Sequence, residues 1–364
     1  MKEDYFSKKL EEYFSEIVSH EKLGFLPPGV TSVSVSNVRK LGPRVMRNRV
    51  YSFMLSCQNG VLQQRSAFIL KAYDKSSDPI IRSNTAPENL ERCLREFQVL
   101  TCLKRVGFPV PRACLYESDT SIFGSPFIIM EKEEFTQNFS NNMDQFTRNL
   151  VWLHSLDINT LGISTLKAPE SKYEFAKRCL IHLKIFLNLY PSRNKGLAKD
   201  FELAVRWLES NVSNNSCDKY CLLHGDYRVH FNVVMTKNSR MVVIDWEDAE
   251  IGDPAYDVAM TYVLARQDFG EKTADRFVQE YLRHFDGSLA ERLFFYKLVA
   301  YLRLAISHNR VLSNPIRAYE ILGLEAFLLF PFLSLQFVAK RTGTVSDVAW
   351  VKSFEDFVKE NLIR

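Results

Sequence analysis

CLLHGDYRVHFNVVMTKNSRMVVIDWEDAEIGDPAYDV, residues 221–258, decides how the chain is read. An apolar run, Leu222-Leu223, breaks at His224-Gly225-Asp226. A polar loop follows and closes at Asn232, where Val233 to Met235 begin a second run. Lys237-Asn238-Ser239 are turn formers, and beyond them Met241-Val242-Val243-Ile244 ends on Asp245. Two short β-branched runs bounded by turn residues predict a hairpin. Its ends would bring together a carboxylate, an amide and a second carboxylate: Asp226, Asn232 and Asp245.

Such a set suits phosphoryl transfer. One carboxylate orients a hydroxyl, while an amide and another carboxylate hold Mg²⁺ against nucleotide phosphates. HGDYRVHFN, then IDWE, then GDPAYD, in this order, resembles the aminoglycoside phosphotransferase and choline kinase-like family. The resemblance implies an α+β, protein-kinase-like bilobal fold with a small, mainly antiparallel β lobe and a larger helical lobe. It implies ATP and Mg²⁺ as cofactors and a small-molecule hydroxyl as acceptor, aminoglycoside-, sugar- or amino-alcohol-like. Asp226 would be the base on that hydroxyl, and Asn232 and Asp245 the metal ligands. Asp257 matches a family aspartate that holds the backbone of the catalytic loop.

One departure from the kinase pattern matters. There the asparagine falls five residues after the aspartate; here the fifth is Phe231 and Asn232 is the sixth. Either the loop bulges by one residue or His230 replaces the amide, and the preference of Mg²⁺ for oxygen favours the bulge. Arg228, two after Asp226, suits a catalytic fork on phosphate oxygens or else a surface salt bridge. Glu247, Asp248 and Glu250 make the region past Asp245 acidic, a weak hint of a cationic acceptor or simply a solvated turn.

Length and composition agree with two lobes. A chain of 364 residues exceeds one ordinary core, and 46% hydrophobic with 25% charged residues describes a globular protein. The formal net charge of +4 permits an anionic ligand but gives no argument for nucleic acid. The seven cysteines include no CxxC pair. Cys217, Cys221 and His224 lack a fourth ligand for zinc, and scattered thiols fit a reducing, cytoplasmic compartment. Neither a signal peptide nor a membrane span is expected: the start lacks an apolar core, and the apolar stretch Ala326 to Ala339 is short and holds Pro331. It reads as a buried core helix. Composition says nothing of oligomeric state.

Taken in order, residues 2–19 place Phe6, Leu10, Tyr13 and Ile17 on one face of a packing helix. Three strand-like runs follow between Thr31 and Tyr73. By resemblance, the loop between the first two covers the phosphates, but Gly42 is its only glycine, so Arg44 and Arg47 would substitute by charge. In the third run Lys71 is a lone lysine in an apolar strand, matching the lysine that contacts ATP phosphates. A helix near residues 90–106 carries its predicted partner Glu96, with Glu91 as competitor, and an apolar face of Leu94, Phe97 and Leu100-Thr101-Cys102. Phe127 to Glu131 resembles the hinge whose backbone reads adenine through residues such as Met130 and Lys132. The lobes are therefore expected at 1–132, nucleotide binding, and 133–364, helical, with the catalytic loop and acceptor site. Helices are expected near 142–156, 172–212, 255–266, 274–285, 290–311 and 317–341, with His154 structural. Two rivals remain: a kinase of protein or RNA, and an inactive nucleotide-binding regulator.

Overall fold

Alternation of apolar and polar residues builds the first half of the chain, and a 3.6-residue period builds the second. The computed structural model describes residues 3–19, 25–26, 28–41, 48–60, 62–75, 88–136, 142–192, 195–229, 231–285, 289–313, 356 and 359–360. Arg44, Arg47, His230 and the expected helix at 317–341 lie outside these residues. Two compact units are distinguished. The first is Met1–Thr136 with Ile163–Thr165 and Met235–Glu247; the second is Gln137–Gly162, Leu166–Val234 and Asp248–Arg364. The chain thus leaves the first unit near the expected boundary but returns to it for the segment holding Asp245.

In the first unit, helix α1 (Glu3–Ser19) precedes strands β1 (Ser32–Leu41), β2 (Arg49–Asn59) and β3 (Leu62–Ala72). Helix α2 (Glu88–Arg105) follows, then β4 (Ala113–Glu117), β5 (Phe127–Glu131) and the short β6 (Phe135–Thr136). An antiparallel sheet of order β1-β2-β3-β5-β4 results. Because side chains alternate between faces, Phe53 and Leu55 of β2 and Phe68 and Leu70 of β3 share one face, and α1 covers it. Phe6, Leu10 and Phe14 are fully buried there, with the Phe6 ring stacked 4.0 Å from Tyr51. Each such side chain contributes about 1.5–3 kcal/mol of burial. Covering that face leaves Lys71, one residue out of phase, on the other.

The second unit begins with α3 (Met143–Ser155), the single turn α4 (Ile158–Leu161), α5 (Glu174–Leu189) and α6 (Lys195–Asn211). Strand β7 (Cys221–Leu223) leads into the loop that carries Asp226. Strands β8 (Val233–Thr236) and β9 (Met241–Val243), which from Met235 on belong to the first unit, form the predicted hairpin, closed by Thr236 and Arg240 across the turn. Strand β10 (Glu250–Gly252) pairs antiparallel with β7. Helices α7 (Pro254–Phe269), α8 (Glu271–His284) and α9 (Leu289–Ser313) complete the described chain.

Helix α7 is buried on every side from Pro254 to Ala265, which makes it the axis of this unit. Asp253 caps it through the Ala255 amide at 2.9 Å and forks onto Arg292 of α9 at 2.7 and 3.1 Å. Pro254 at the first helical position needs no donor there. Among the described residues no helix is long and apolar enough to cross a membrane.

Candidate active site

The loop after β7 is held by backbone amides that converge on one carboxylate. His224 and Gly225 donate their N–H groups to Asp257 of α7 at 2.7 and 2.9 Å, and the His154 ring meets the same carboxylate at 3.3 Å. His154 also bonds the Tyr281 hydroxyl at 2.7 Å and has no exposure, so its position is structural, as expected. Gly225 sits at φ +84°, and a Cβ there would lie 2.8 Å from the Asp248 carbonyl oxygen, so only glycine fits. The Tyr227 hydroxyl donates to Phe146 O and Thr261 Oγ1 donates to Tyr227 O, both at 2.9 Å. From Cys221 to Tyr227, only Asp226 is exposed. A rigid frame presents one carboxylate to solvent.

Burial alone would raise the Asp257 carboxyl, but the bonds from His154 and the His224 backbone hold it below the usual range. Its folded-state value therefore lies under the unfolded value of about 3.9. The stability it supplies is present above that value and is lost as pH falls through the lower folded-state one. Asp257→Asn is expected to cost about 1.5–3 kcal/mol for each charge-assisted bond lost. Thermal melts from about pH 7 down into acid check the sign. The wild type should lose stability steeply below about pH 4, while the variant starts lower and shows a shallower acid slope. Parallel slopes would count against the assignment.

Asn232 takes its place beside Asp226. Its Nδ2 donates to Asp226 Oδ2 at 2.8 Å and to Asp226 O at 2.9 Å, leaving Oδ1 as the atom able to ligate an ion. The amides of Asn232 and Val233 both donate to the Arg228 carbonyl, at 3.0 and 2.9 Å. One carbonyl thus accepts from residues four and five further on, a closure that takes up the extra residue. Phe231 is no ligand; its exposed ring lies 4.0 Å from the Arg228 guanidinium. That guanidinium forks onto Asp268 of α7 at 2.7 and 2.8 Å. Of the two readings of Arg228, the structure shows the salt bridge, because a bidentate carboxylate already satisfies the fork.

In the first unit the charged cluster is denser. Lys71 is buried and donates to Glu96 Oε2 at 2.7 Å and Asp245 Oδ1 at 2.5 Å, with Glu247 at 4.0 Å. Burial opposes the ammonium, but Asp245, then Glu96 and Glu247, outweigh it and hold its pKa well above the ordinary range. Glu96 also accepts from the Tyr73 hydroxyl at 2.5 Å and the Trp246 amide at 3.3 Å. The competitor Glu91 instead meets Arg95 at 3.9 Å on a half-exposed flank. Asp245 adopts φ +66°, a left-handed conformation that aspartate tolerates better than most residues. The fully buried Trp246 anchors the turn, bonding Val243 O at 3.1 Å.

Reading α2 from its apolar residues put Leu94 and Phe97 on the buried face. The buried residues are instead Asn89, Arg92, Cys93, Glu96, Val99, Leu100, Cys102 and Leu103, so of the expected face Leu100 and Cys102 are buried and Leu94 and Phe97 are not. Charged residues occupy the inside because they have partners there: Arg92 meets Glu247 at 2.9 Å, and Asn48 meets it at 2.5 Å. Glu247, Arg92 and Asn48 are site residues the sequence reading missed. The signal for Arg92 was its seven-residue spacing from Val99 on the stripe of Glu96.

Carboxylate oxygens of Glu96, Asp245 and Glu247 lie within 4.8 Å of one another. Hard oxygen donors of this kind suit Mg²⁺, and Asp245 keeps Oδ2 for an ion while Oδ1 binds Lys71. Met130 lies opposite Ile69 in the β3–β5 register, hence on the Lys71 face. On this sheet Ser52, Met54, Ala67 and Lys132 line a depression of about 170 Å³, room for part of a planar base. The Lys132 amide donates to Ala67 O at 3.0 Å, so the backbone of this residue has only its carbonyl left to offer a base.

Known proteins resemble the chain in sequence or in fold. Rat (Rattus norvegicus) acyl-CoA dehydrogenase family member 11 is 30% identical over 178 residues, 45% of this chain and 22% of that protein. The chain thus spans less than a quarter of the length of that curated relative. An aminoglycoside phosphotransferase-like structure from Ralstonia eutropha JMP134 superposes with a TM-score of 0.60 at 14% identity, covering 97% of this chain and 98% of that one. A thermostable aminoglycoside phosphotransferase APH(4)-Ia, in ternary complex with ADP and hygromycin B, gives 0.58 at 15% identity, covering 97% and 99%. These likenesses show the protein-kinase-like fold. Residues 63–294, which run from the strand of Lys71 through the loop of Asp226 to the start of α9, match the phosphotransferase enzyme family, and the chain belongs to that family.

Proposed function

We propose that the chain moves the γ-phosphoryl group of ATP, in the presence of Mg²⁺, to a hydroxyl of a small molecule. The observation that carries the reading is Lys71 held between Glu96 at 2.7 Å and Asp245 at 2.5 Å. A buried ammonium gripped by two carboxylates is preorganised to meet phosphate oxygens without rearranging. When bound, the metal supplies positive charge against the phosphates, with Asp245 and the Asn232 amide oxygen as its proposed ligands and Glu247 as a further carboxylate. Met130 and Lys132 border the proposed base site, and Arg44 and Arg47 remain candidates for the phosphate loop.

Asp226 orients the acceptor hydroxyl and takes its proton. The acceptor oxygen then forms a bond to the γ-phosphorus, the bond to the ADP oxygen breaks, and a phosphomonoester and ADP leave. The bound ADP and hygromycin B of the APH(4)-Ia structure support a nucleotide and a small-molecule acceptor here. Seven cysteines without a disulfide among them support a reducing compartment, and we place the protein in the cytoplasm.

The test is ATP consumption with sugars, amino alcohols, hydroxy acids, nucleosides and aminoglycosides, followed by ³¹P NMR. ADP and a new phosphomonoester should appear in equal amounts, and chelating the metal should abolish both. Tight ATP binding with no turnover across the panel would establish an inactive regulator instead. Labelled phosphate found only on added protein or RNA would establish the other rival.

A further inference from the structure

Three basic side chains of the second unit, two guanidinium groups and an imidazole, are left unused by this chemistry. Arg178 and His182 stand one turn apart on α5, and Arg303 lies on α9, which packs against α5. Arg178 reaches Glu250 Oε2 at 3.0 Å and Ile251 O at 3.2 Å on β10. In the β10–β7 pairing Glu250 lies opposite Leu223, three residues before Asp226. Arg303 donates through Nη1 to the Tyr256 hydroxyl. Among the described residues, no hydrogen-bond partner accepts from its Nε or Nη2, and no carboxylate lies within ion-pair distance.

Its surroundings are acidic nonetheless. After the Tyr256 oxygen, and against burial, Asp248 and Asp226 hold the Arg303 guanidinium above its ordinary pKa, so it lies in the field of the catalytic carboxylate. Burial, then Arg178 and Arg303, lowers the His182 pKa. Two members of the acidic run that hinted at a cationic acceptor already have cations, Glu247 with Arg92 and Glu250 with Arg178, and the third, Asp248, acts on Arg303 itself. An ammonium group on the acceptor would face the unpartnered edge of Arg303 and be repelled. A carboxylate or phosphate could take both N–H groups of that edge in a fork.

We propose that Arg303, supported by Arg178 and His182, binds an anionic group on the hydroxyl acceptor, so that the substrate is a hydroxy acid or a phosphate ester rather than an amine. The proposal rests on the phosphotransferase reading above and names the substrate class of the same site.

Two matched series test it: glycerate, glycerol 3-phosphate, glycerol and 3-aminopropane-1,2-diol, then gluconate, glucose 6-phosphate, glucose and glucosamine. Binding is measured by calorimetry and turnover by ADP release, on the full chain. The anionic members should bind at least about tenfold more tightly than their neutral partners, the size of one charge-assisted bond. The two anionic arms decide between carboxylate and phosphate. Arg303→Gln should erase the preference, Arg178→Gln should reduce it, and Arg303→Lys should keep part of it, with the ATP constant unchanged and folding checked by circular dichroism.

Arg303-dependent anion binding without turnover would leave this proposal standing and sink the phosphotransferase reading. Turnover favouring the amines would do the reverse, as would anion binding indifferent to Arg303. Absence of any anion binding overturns the proposal. So does an Arg303→Gln variant that shifts only the acid limb of the kcat profile, because the guanidinium would then merely set the field at Asp226.

Discussion

Asp226→Asn should lower phosphoryl transfer by about 10²–10⁴, the usual contribution of a positioned base, while ATP still binds. The substitution is isosteric, and its setting predicts a clean result. Neighbouring amides at His224 and Gly225 are tied to Asp257, not to Asp226. The Asp226 side chain itself accepts from Asn232 Nδ2, a bond an amide oxygen can keep. Little folding energy is at stake at an exposed carboxylate, so the melting temperature should move by no more than about 2 °C. Single-turnover transfer from labelled ATP measures the defect, and nucleotide titration measures retained binding. Near-normal turnover in the variant would remove Asp226 from the chemistry. A loss of ATP affinity as large as the loss of rate would mean that the carboxylate serves the nucleotide instead.

How much of this was legible depends on whether a residue's partners are close in the sequence or far from it. Lys71 stood out because a lone lysine interrupts an apolar strand, a purely local signal. The hairpin of residues 233–243 was legible for the same reason, with turn formers between two β-branched runs. Asp257 became visible only through the resemblance of GDPAYD. Glu96 could be named, yet the face of α2 was misread, because apolar periodicity assumes that charge points outward. Arg92 and Glu96 point inward, and their partners arrive from residues 48, 71, 246 and 247. Arg228 had two chemically sound readings until Asp268, forty positions on, took the guanidinium. Arg303 had no local signature at all. Its meaning comes from Tyr256, at the start of another helix, and from a carboxylate 77 positions earlier, since 303 − 226 = 77.

Lys71→Met should abolish turnover and also destabilise the fold, because the lysine is countercharge as well as the proposed phosphate ligand. Glu96 is 1% exposed and depends on Lys71 for its only cation within ion-pair distance among the described residues. Removing one member of a buried pair costs about 3–5 kcal/mol, roughly 6–20 °C in melting temperature at 2–4 °C per kcal/mol for a unit of this size. Adding Glu96→Gln should restore much of the stability and none of the activity, which separates the two roles. The sign with pH follows from burial, the first cause raising the Glu96 pKa. The Glu96 value is raised even beside Lys71, and removing that ammonium raises it further, so the folded-state value lies above the unfolded one of about 4.3. The Lys71→Met protein should then lose stability as pH rises through and beyond that value, and its deficit should narrow in acid. Glu91→Gln, on the half-exposed flank beside Arg95, is the control and should stay within about 0.5 kcal/mol of the wild type. Denaturant melts of the single and double variants at several pH values measure each expectation. A Lys71→Met protein as stable as the wild type, or a Glu91→Gln variant as impaired as Glu96→Gln, would show that the ion cluster is not built around Lys71 and Glu96.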